Sequence, residues 1–102
     1  MQIILEGVDA SGKSTLAKAL LTELNGYSYY SSEGPEKYAG EIMERIKRYE
    51  ITHNPLAIYD RHPIISHPIY SRTVLWMSDI PYAIRRDFYS RPDRLIVYCL
   101  PT

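Results

Sequence analysis

The sequence predicts an α/β fold with a mostly parallel sheet, because short apolar runs alternate with segments of helical periodicity along the chain. The apolar runs are continuous and do not alternate with polar residues, which is typical of strands buried on both faces of a parallel sheet. The chain has 102 residues, 45% of them apolar and 24% charged, which is an ordinary globular composition. We therefore predict one domain over residues 1–102.

The first half of the chain predicts two strands, each followed by a helix. Residues 2–6 form an apolar strand, and residues 13–24 carry leucines on one helical stripe that ends before a glycine. Residues 27–31 predict the second strand, and Pro35 suits the first turn of a second helix. The apolar face expected for that helix consists of Ala39, Ile42, Met43 and Ile46.

The second half repeats the alternation. Residues 56–60 predict a third short strand that ends in a carboxylate. Two prolines restrict the third helix to residues from about Ser66 onward, because proline disrupts a helix interior. A fourth helix is expected over residues 79–89, and residues 95–100 predict the fourth strand. Four strands separated by helices indicate βαβ units.

A glycine-rich segment lies between the first strand and the first helix. Residues 7–14 read G-V-D-A-S-G-K-S and fit the pattern G-x-x-x-x-G-K-[ST]. In this pattern the glycines let successive N–H groups point into one concavity, where phosphate oxygens bind beside a helix N-terminus. The sequence therefore predicts an ATP-binding loop. Its residues are Gly7, Val8, Asp9, Ala10, Ser11, Gly12, Lys13, Ser14 and Thr15.

Three side chains are candidates for phosphoryl transfer and metal binding. Lys13 is expected to bridge the β- and γ-phosphates, and the Ser14 hydroxyl to bind Mg²⁺. Asp60 closes an apolar run, the position of a second magnesium ligand in such loops. Because open parallel sheets bind ligands at the carboxyl ends of their strands, Asp60 is expected beside the loop. The alternative, that Asp60 only caps a turn, stays open.

Taken together, these segments resemble the thymidylate kinases. Residues 6–15 read E-G-V-D-A-S-G-K-S-T and are similar to the E-G-x-D-x-x-G-K-S-T loop of that family. Asp60-Arg61-His62 resembles its D-R-[YFHS] step and the E-R-S step of deoxynucleoside kinases. Residues 33–35 and 91–98 are similar to the Glu-Pro step and to the fourth strand of these kinases. The resemblance covers nearly the whole chain, and only the loop is specific by itself.

The resemblance implies a three-layer P-loop fold with sheet order 2-3-1-4 and an enzyme that phosphorylates a nucleoside monophosphate with ATP and Mg²⁺. The expected substrate is dTMP or a similar deoxynucleotide. The catalytic residues are Lys13, Asp60 and Arg61, and the metal ligands are Ser14 and Asp60. The expected substrate-binding residues are Asp9, Glu33, Arg61, Tyr70 and Arg72.

Two other functions stay open. One is a deoxynucleoside kinase, in which Glu33 would bind the base or sugar or act as the base. The other is a non-catalytic nucleotide-binding module that acts on a partner. Thymidylate kinases continue past the fourth strand into an arginine-bearing lid and a fifth strand, which follow no segment here. We therefore expect an N-terminal portion of a longer kinase, with four strands and no lid.

Charge and hydropathy exclude some partners. Lys plus Arg and Asp plus Glu both number 12, so the net charge of +0 disfavours nucleic-acid binding through bulk charge. The apolar runs are too short to span a bilayer, and no basic segment precedes the first one, which predicts a cytoplasmic protein without a membrane partner. A small-molecule nucleotide is the expected partner. A homodimer is one candidate assembly, and the sequence leaves the oligomeric state open.

Overall fold

A computed structural model describes residues 1–7, 12–51, 53–71 and 78–99 of the chain. The elements are β1 (Gln2–Glu6), α1 (Lys13–Glu23), β2 (Ser28–Tyr30), α2 (Glu41–Ile51), β3 (Ala57–Asp60), α3 (Pro63–Ser71), α4 (Tyr82–Ser90) and β4 (Arg94–Tyr98). The described residues form two compact units. The first unit contains the four strands and α1, and the second contains α2, α3 and α4.

The first unit is built on a four-stranded parallel sheet in the order β2-β3-β1-β4. This confirms the predicted α/β class and the predicted strand order. The central strand β1 is buried along its whole length, as its continuous apolar run predicts. It pairs with β3 through Leu5 and Asp60 and with β4 through Gln2 and Arg94.

Helix α1 covers one face of this sheet. Ala17 is buried in a cluster with Ile3, Leu5 and Ile58, so the helix packs on the two central strands. Three partly buried leucines of the predicted stripe, Leu16, Leu20 and Leu24, pack against the same cluster. The helix ends at Glu23, close to the predicted end at residue 24.

Helix α2, in the second unit, begins later than the sequence predicts. The helix was expected from Pro35, but it starts at Glu41 because Gly40 has a φ of 89°, a left-handed conformation outside the helical region. The buried carboxylate of Glu36 instead accepts a hydrogen bond from the Ile42 N–H at 2.8 Å, which satisfies a donor of the first turn. Ala39 therefore lies before the helix and is exposed.

Helix α3 begins earlier than predicted. Its first residue is Pro63, whereas the expected start was about Ser66. A proline fits the first helical position because the N–H that it lacks has no partner there in any helix. Pro68 lies inside the helix. Helix α4 begins directly after Pro81 and ends at Ser90, near the predicted bounds.

Strand β4 lies at one edge of the sheet. It covers Arg94–Tyr98 and not the predicted residues 95–100, of which Leu100 lies outside the described residues. Leu95 and Tyr98 are 47% and 61% exposed, which is unusual for apolar side chains on an edge strand. Among the helices that the structure describes, none has the length and hydropathy needed to cross a membrane.

His62 is a buried, uncharged residue next to the sheet. It is 2% exposed, and its ring meets the Tyr59 ring edge-on at 5.5 Å between centroids. Burial, with a smaller contribution from the Arg94 guanidinium, lowers the pKa of His62 from 6.5 to about 3. The folded protein therefore excludes a proton that the unfolded chain binds below pH 6.5.

We expect His62 to make the protein less stable as the pH falls from 6.5 towards 3, because only the unfolded state gains the proton in that range. At pH 5 this linkage lowers the free energy of unfolding by about 2 kcal/mol relative to pH 7. Urea unfolding of the wild type and of His62→Gln at both pH values measures it. The variant should lose less stability on acidification, and an equal loss in the two proteins would contradict the assignment.

Candidate functional site

The carboxyl ends of β1 and β3 lie side by side in the first unit. Leu5 is the register partner of Asp60, and the N–H of the next residue, Arg61, donates to the Leu5 carbonyl at 2.8 Å. The glycine-rich segment leaves β1 at Gly7 and enters α1 at Lys13. The sheet thus brings together four of the residues that the sequence singles out: Gly7, Lys13, Asp60 and Arg61.

The start of α1 depends on Gly12. This residue has φ 85° and ψ 9°, a left-handed conformation that strains any residue with a Cβ. Its carbonyl accepts the first helical hydrogen bond, from the Leu16 N–H at 2.9 Å. No side chain caps this helix end and no acidic residue lies in its first turn, so the positive end of the helix dipole faces outward at Lys13 and Ser14.

Lys13 and Asp60 form a largely buried ion pair. The Lys13 Nζ lies 3.6 Å from the Asp60 Oδ1, with side chains only 6% and 17% exposed. This distance is too long for a hydrogen bond, and Oδ1 is buried without a donor among the described residues. A buried acceptor of this kind costs roughly 1–3 kcal/mol, so Oδ1 is suited to a further polar partner.

Tyr29, which the sequence analysis did not single out, holds the other oxygen of this carboxylate. Its phenol donates a hydrogen bond to the Asp60 Oδ2 at 3.0 Å. Burial, and then the hydrogen bond and negative charge of Asp60, raise the pKa of the Tyr29 phenol, which therefore remains a donor. The residue could have been found only from the strand order, because β2 pairs with β3 and not with β1.

Arg61 ties the end of β3 to the first glycine of the loop. Its Nε and Nη2 donate to the Gly7 carbonyl at 3.3 Å and 3.0 Å, and its Nε lies 3.9 Å from the buried carboxylate of Glu6. Arg61 is also the one non-glycine residue with a positive φ, 66°, in the part of the chain that the structure describes. Such a backbone costs about 1 kcal/mol or more, so local contacts must favour it.

The residues present fit a magnesium ion bound together with a nucleotide. Within the described ranges, no group of three or more His, Cys, Asp or Glu residues could hold a metal ion. Mg²⁺ bound with a nucleotide needs only one or two protein oxygens, because phosphate oxygens and waters complete its shell. The unsatisfied Asp60 Oδ1 and the exposed Ser14 hydroxyl in the first turn of α1 are oxygens of that kind.

Glu33, in the second unit, already has hydrogen-bond partners. Its carboxylate accepts two bonds from the Arg48 Nη2, at 2.9 Å and 3.1 Å, and one from the Tyr49 hydroxyl at 2.8 Å. Burial, and then Glu33, raise the pKa of Tyr49. A base or sugar ligand would therefore have to compete with these contacts for Glu33.

The structure leaves some predicted residues undescribed. Tyr70 belongs to α3, but its side chain lies outside the described part of the chain. The remaining residues outside the described ranges are Val8, Asp9, Ala10, Ser11 and Arg72. Their predicted roles in cofactor and substrate binding therefore stay predictions.

Comparisons with known proteins add no family assignment. No protein-family model, curated protein or solved structure matches this chain.

Proposed function

We propose that the protein is a nucleotide kinase that transfers the γ-phosphoryl group of ATP to a nucleoside monophosphate, with dTMP or a similar deoxynucleotide as substrate. One observation carries the proposal. The buried Lys13 lies 3.6 Å from Asp60 where the glycine-rich segment leaves a parallel sheet and enters a helix. A cation, an acid and a helix N-terminus at the carboxyl ends of parallel strands are suited to binding a polyphosphate and its metal ion.

In the proposed reaction, an oxygen of the acceptor phosphate forms a bond to the γ-phosphorus of ATP. The bond from that phosphorus to the β–γ bridging oxygen breaks, and ADP leaves with the electron pair. Mg²⁺, when bound, neutralises charge on the phosphates. Lys13 donates to the β- and γ-phosphate oxygens, and the backbone N–H groups at the start of α1 bind the same anion. Asp60 and Ser14 hold the metal ion.

The acceptor side of the proposal rests on the resemblance to thymidylate kinases. Asp9 is proposed to bind the sugar hydroxyl and Arg61 the acceptor phosphate, for which a guanidinium is well shaped. The Arg61 guanidinium contacts the Gly7 carbonyl, so the loop and the acceptor would share this side chain. Tyr70 and Arg72 complete the proposed set, and the hydrogen bonds to Glu33 favour a monophosphate kinase over a nucleoside kinase.

Phosphoryl transfer to a nucleotide panel tests the proposal directly. The full chain is incubated with Mg²⁺ and ATP and with dTMP, thymidine or no acceptor, and ADP formation is followed. Turnover that requires dTMP supports the proposed reaction, and turnover with thymidine identifies a deoxynucleoside kinase. Nucleotide binding without turnover on either acceptor would identify a non-catalytic binding module.

The Lys13→Met variant should lose most of its affinity for ATP. The substitution keeps the length of the side chain but removes the charge-assisted hydrogen bonds to phosphate, so we expect affinity to fall about ten- to a hundred-fold. Isothermal titration of ATP into both proteins measures it. Lys18→Met, at an exposed position of the same helix, is the matched control and should bind ATP as the wild type does. Undiminished binding by Lys13→Met would rule out the proposed site.

The Asp60→Asn variant should separate metal-dependent from metal-free binding. The amide removes a negative charge beside Lys13, so ATP without Mg²⁺ should bind at least as tightly as to the wild type. The gain in affinity on adding Mg²⁺ should fall about ten-fold, because a neutral amide is a poor magnesium ligand. Titrations with and without Mg²⁺ test this. Asp87→Asn, at an exposed site on α4, is the control, and an unchanged magnesium effect in Asp60→Asn would remove Asp60 from the metal site.

A further inference from the structure

We propose that Tyr29 is a positioning residue that holds the Asp60 carboxylate in the orientation needed to bind the metal–nucleotide complex. The inference rests on the proposed function, because it assigns Asp60 to the magnesium ion. Tyr29 itself contacts neither nucleotide nor metal in this proposal. It acts through the hydrogen bond from its phenol to the Asp60 Oδ2, at 3.0 Å.

The strand register places Tyr29 on the same sheet face as Asp60. Tyr29 is the register partner of Ile58, and side chains two residues apart on a strand lie on the same face. Tyr30, the next residue, therefore lies on the opposite face, where its ring stacks on Tyr59 at 5.2 Å between centroids. Of these two adjacent tyrosines, only Tyr29 hydrogen-bonds to the acid.

The two oxygens of Asp60 have different surroundings. Oδ2 accepts the phenol, whereas Oδ1 is buried near Lys13 and has no hydrogen-bond donor among the described residues. The terminal torsion of an aspartate is soft, so the side chain alone does not define which oxygen faces Lys13. The hydrogen bond from Tyr29 selects the orientation in which Oδ1 remains available to a cation.

Loss of the phenol would change the balance between Asp60 and Lys13. Without the bond to Oδ2, the carboxylate can turn and bring both oxygens towards the Lys13 ammonium, which lies only 3.6 Å from Oδ1. A closer ion pair would occupy Lys13 and draw Oδ1 away from the metal ion. The binding of ATP with Mg²⁺ should then weaken, although Tyr29 touches no part of the ligand.

A double-mutant cycle between Tyr29 and Asp60 tests the inference. Isothermal titration of ATP with Mg²⁺ should show that Tyr29→Phe lowers affinity about five-fold, the equivalent of one hydrogen bond. In the Asp60→Asn background the same substitution should change affinity by less than about two-fold, because there is no carboxylate left to orient. An equal five-fold loss in both backgrounds would show that Tyr29 only supports the fold, and would overturn the inference.

Tyr30→Phe is the matched control, because it removes a hydroxyl from the adjacent residue of the same strand. That hydroxyl accepts a hydrogen bond from the Asn54 Nδ2 at 3.2 Å and does not bond to Asp60. The variant should bind ATP with Mg²⁺ within about two-fold of the wild type. Wild-type affinity in Tyr29→Phe, together with weak binding by Lys13→Met, would overturn the role of Tyr29 alone. Wild-type affinity in Lys13→Met would overturn the proposed function itself.

Discussion

The parallel pairing of β1 with β3 determines which side chains meet at the candidate site. Because Leu5 and Asp60 are register partners, the chain leaves both strands at the same edge of the sheet. Gly7 and the loop continue from one strand, and Arg61 from the other. A shift of one residue in this register would turn Asp60 to the opposite face, away from α1 and Lys13. The buried cores of both strands oppose such a shift.

Charge and strain are concentrated at this edge. Lys13 and Asp60 are largely buried and yet 3.6 Å apart, and Arg61 has a left-handed backbone while its guanidinium holds the Gly7 carbonyl. Buried charges that are incompletely hydrogen-bonded lower stability, and so does a positive φ outside glycine. Such costs are typical of sites that are preorganised for a charged ligand, which accords with a polyphosphate as the proposed ligand.

The helices of the second unit show where local rules compete. Both starts were misjudged from prolines: Pro35 suggested a helix that begins only at Glu41, and Pro63, which was expected to delay α3, is its first residue. Proline fits the first turn of a helix, but the sequence does not tell which proline occupies that position. For α2 the outcome depends on Gly40 and on the buried Glu36, whose carboxylate satisfies the Ile42 N–H.

The sequence by itself determined the strands, the α/β class and the expectation that Lys13, Asp60 and the glycine-rich loop belong together. Continuous apolar runs and a spaced motif are local signals, and they can be read without knowing what packs against them. Only the tertiary structure decided that Tyr29 bonds to Asp60, that Arg61 holds Gly7, and that Glu33 is engaged by Arg48 and Tyr49. These contacts join residues far apart in the chain, through strand order and side-chain direction, and no local pattern encodes either of them.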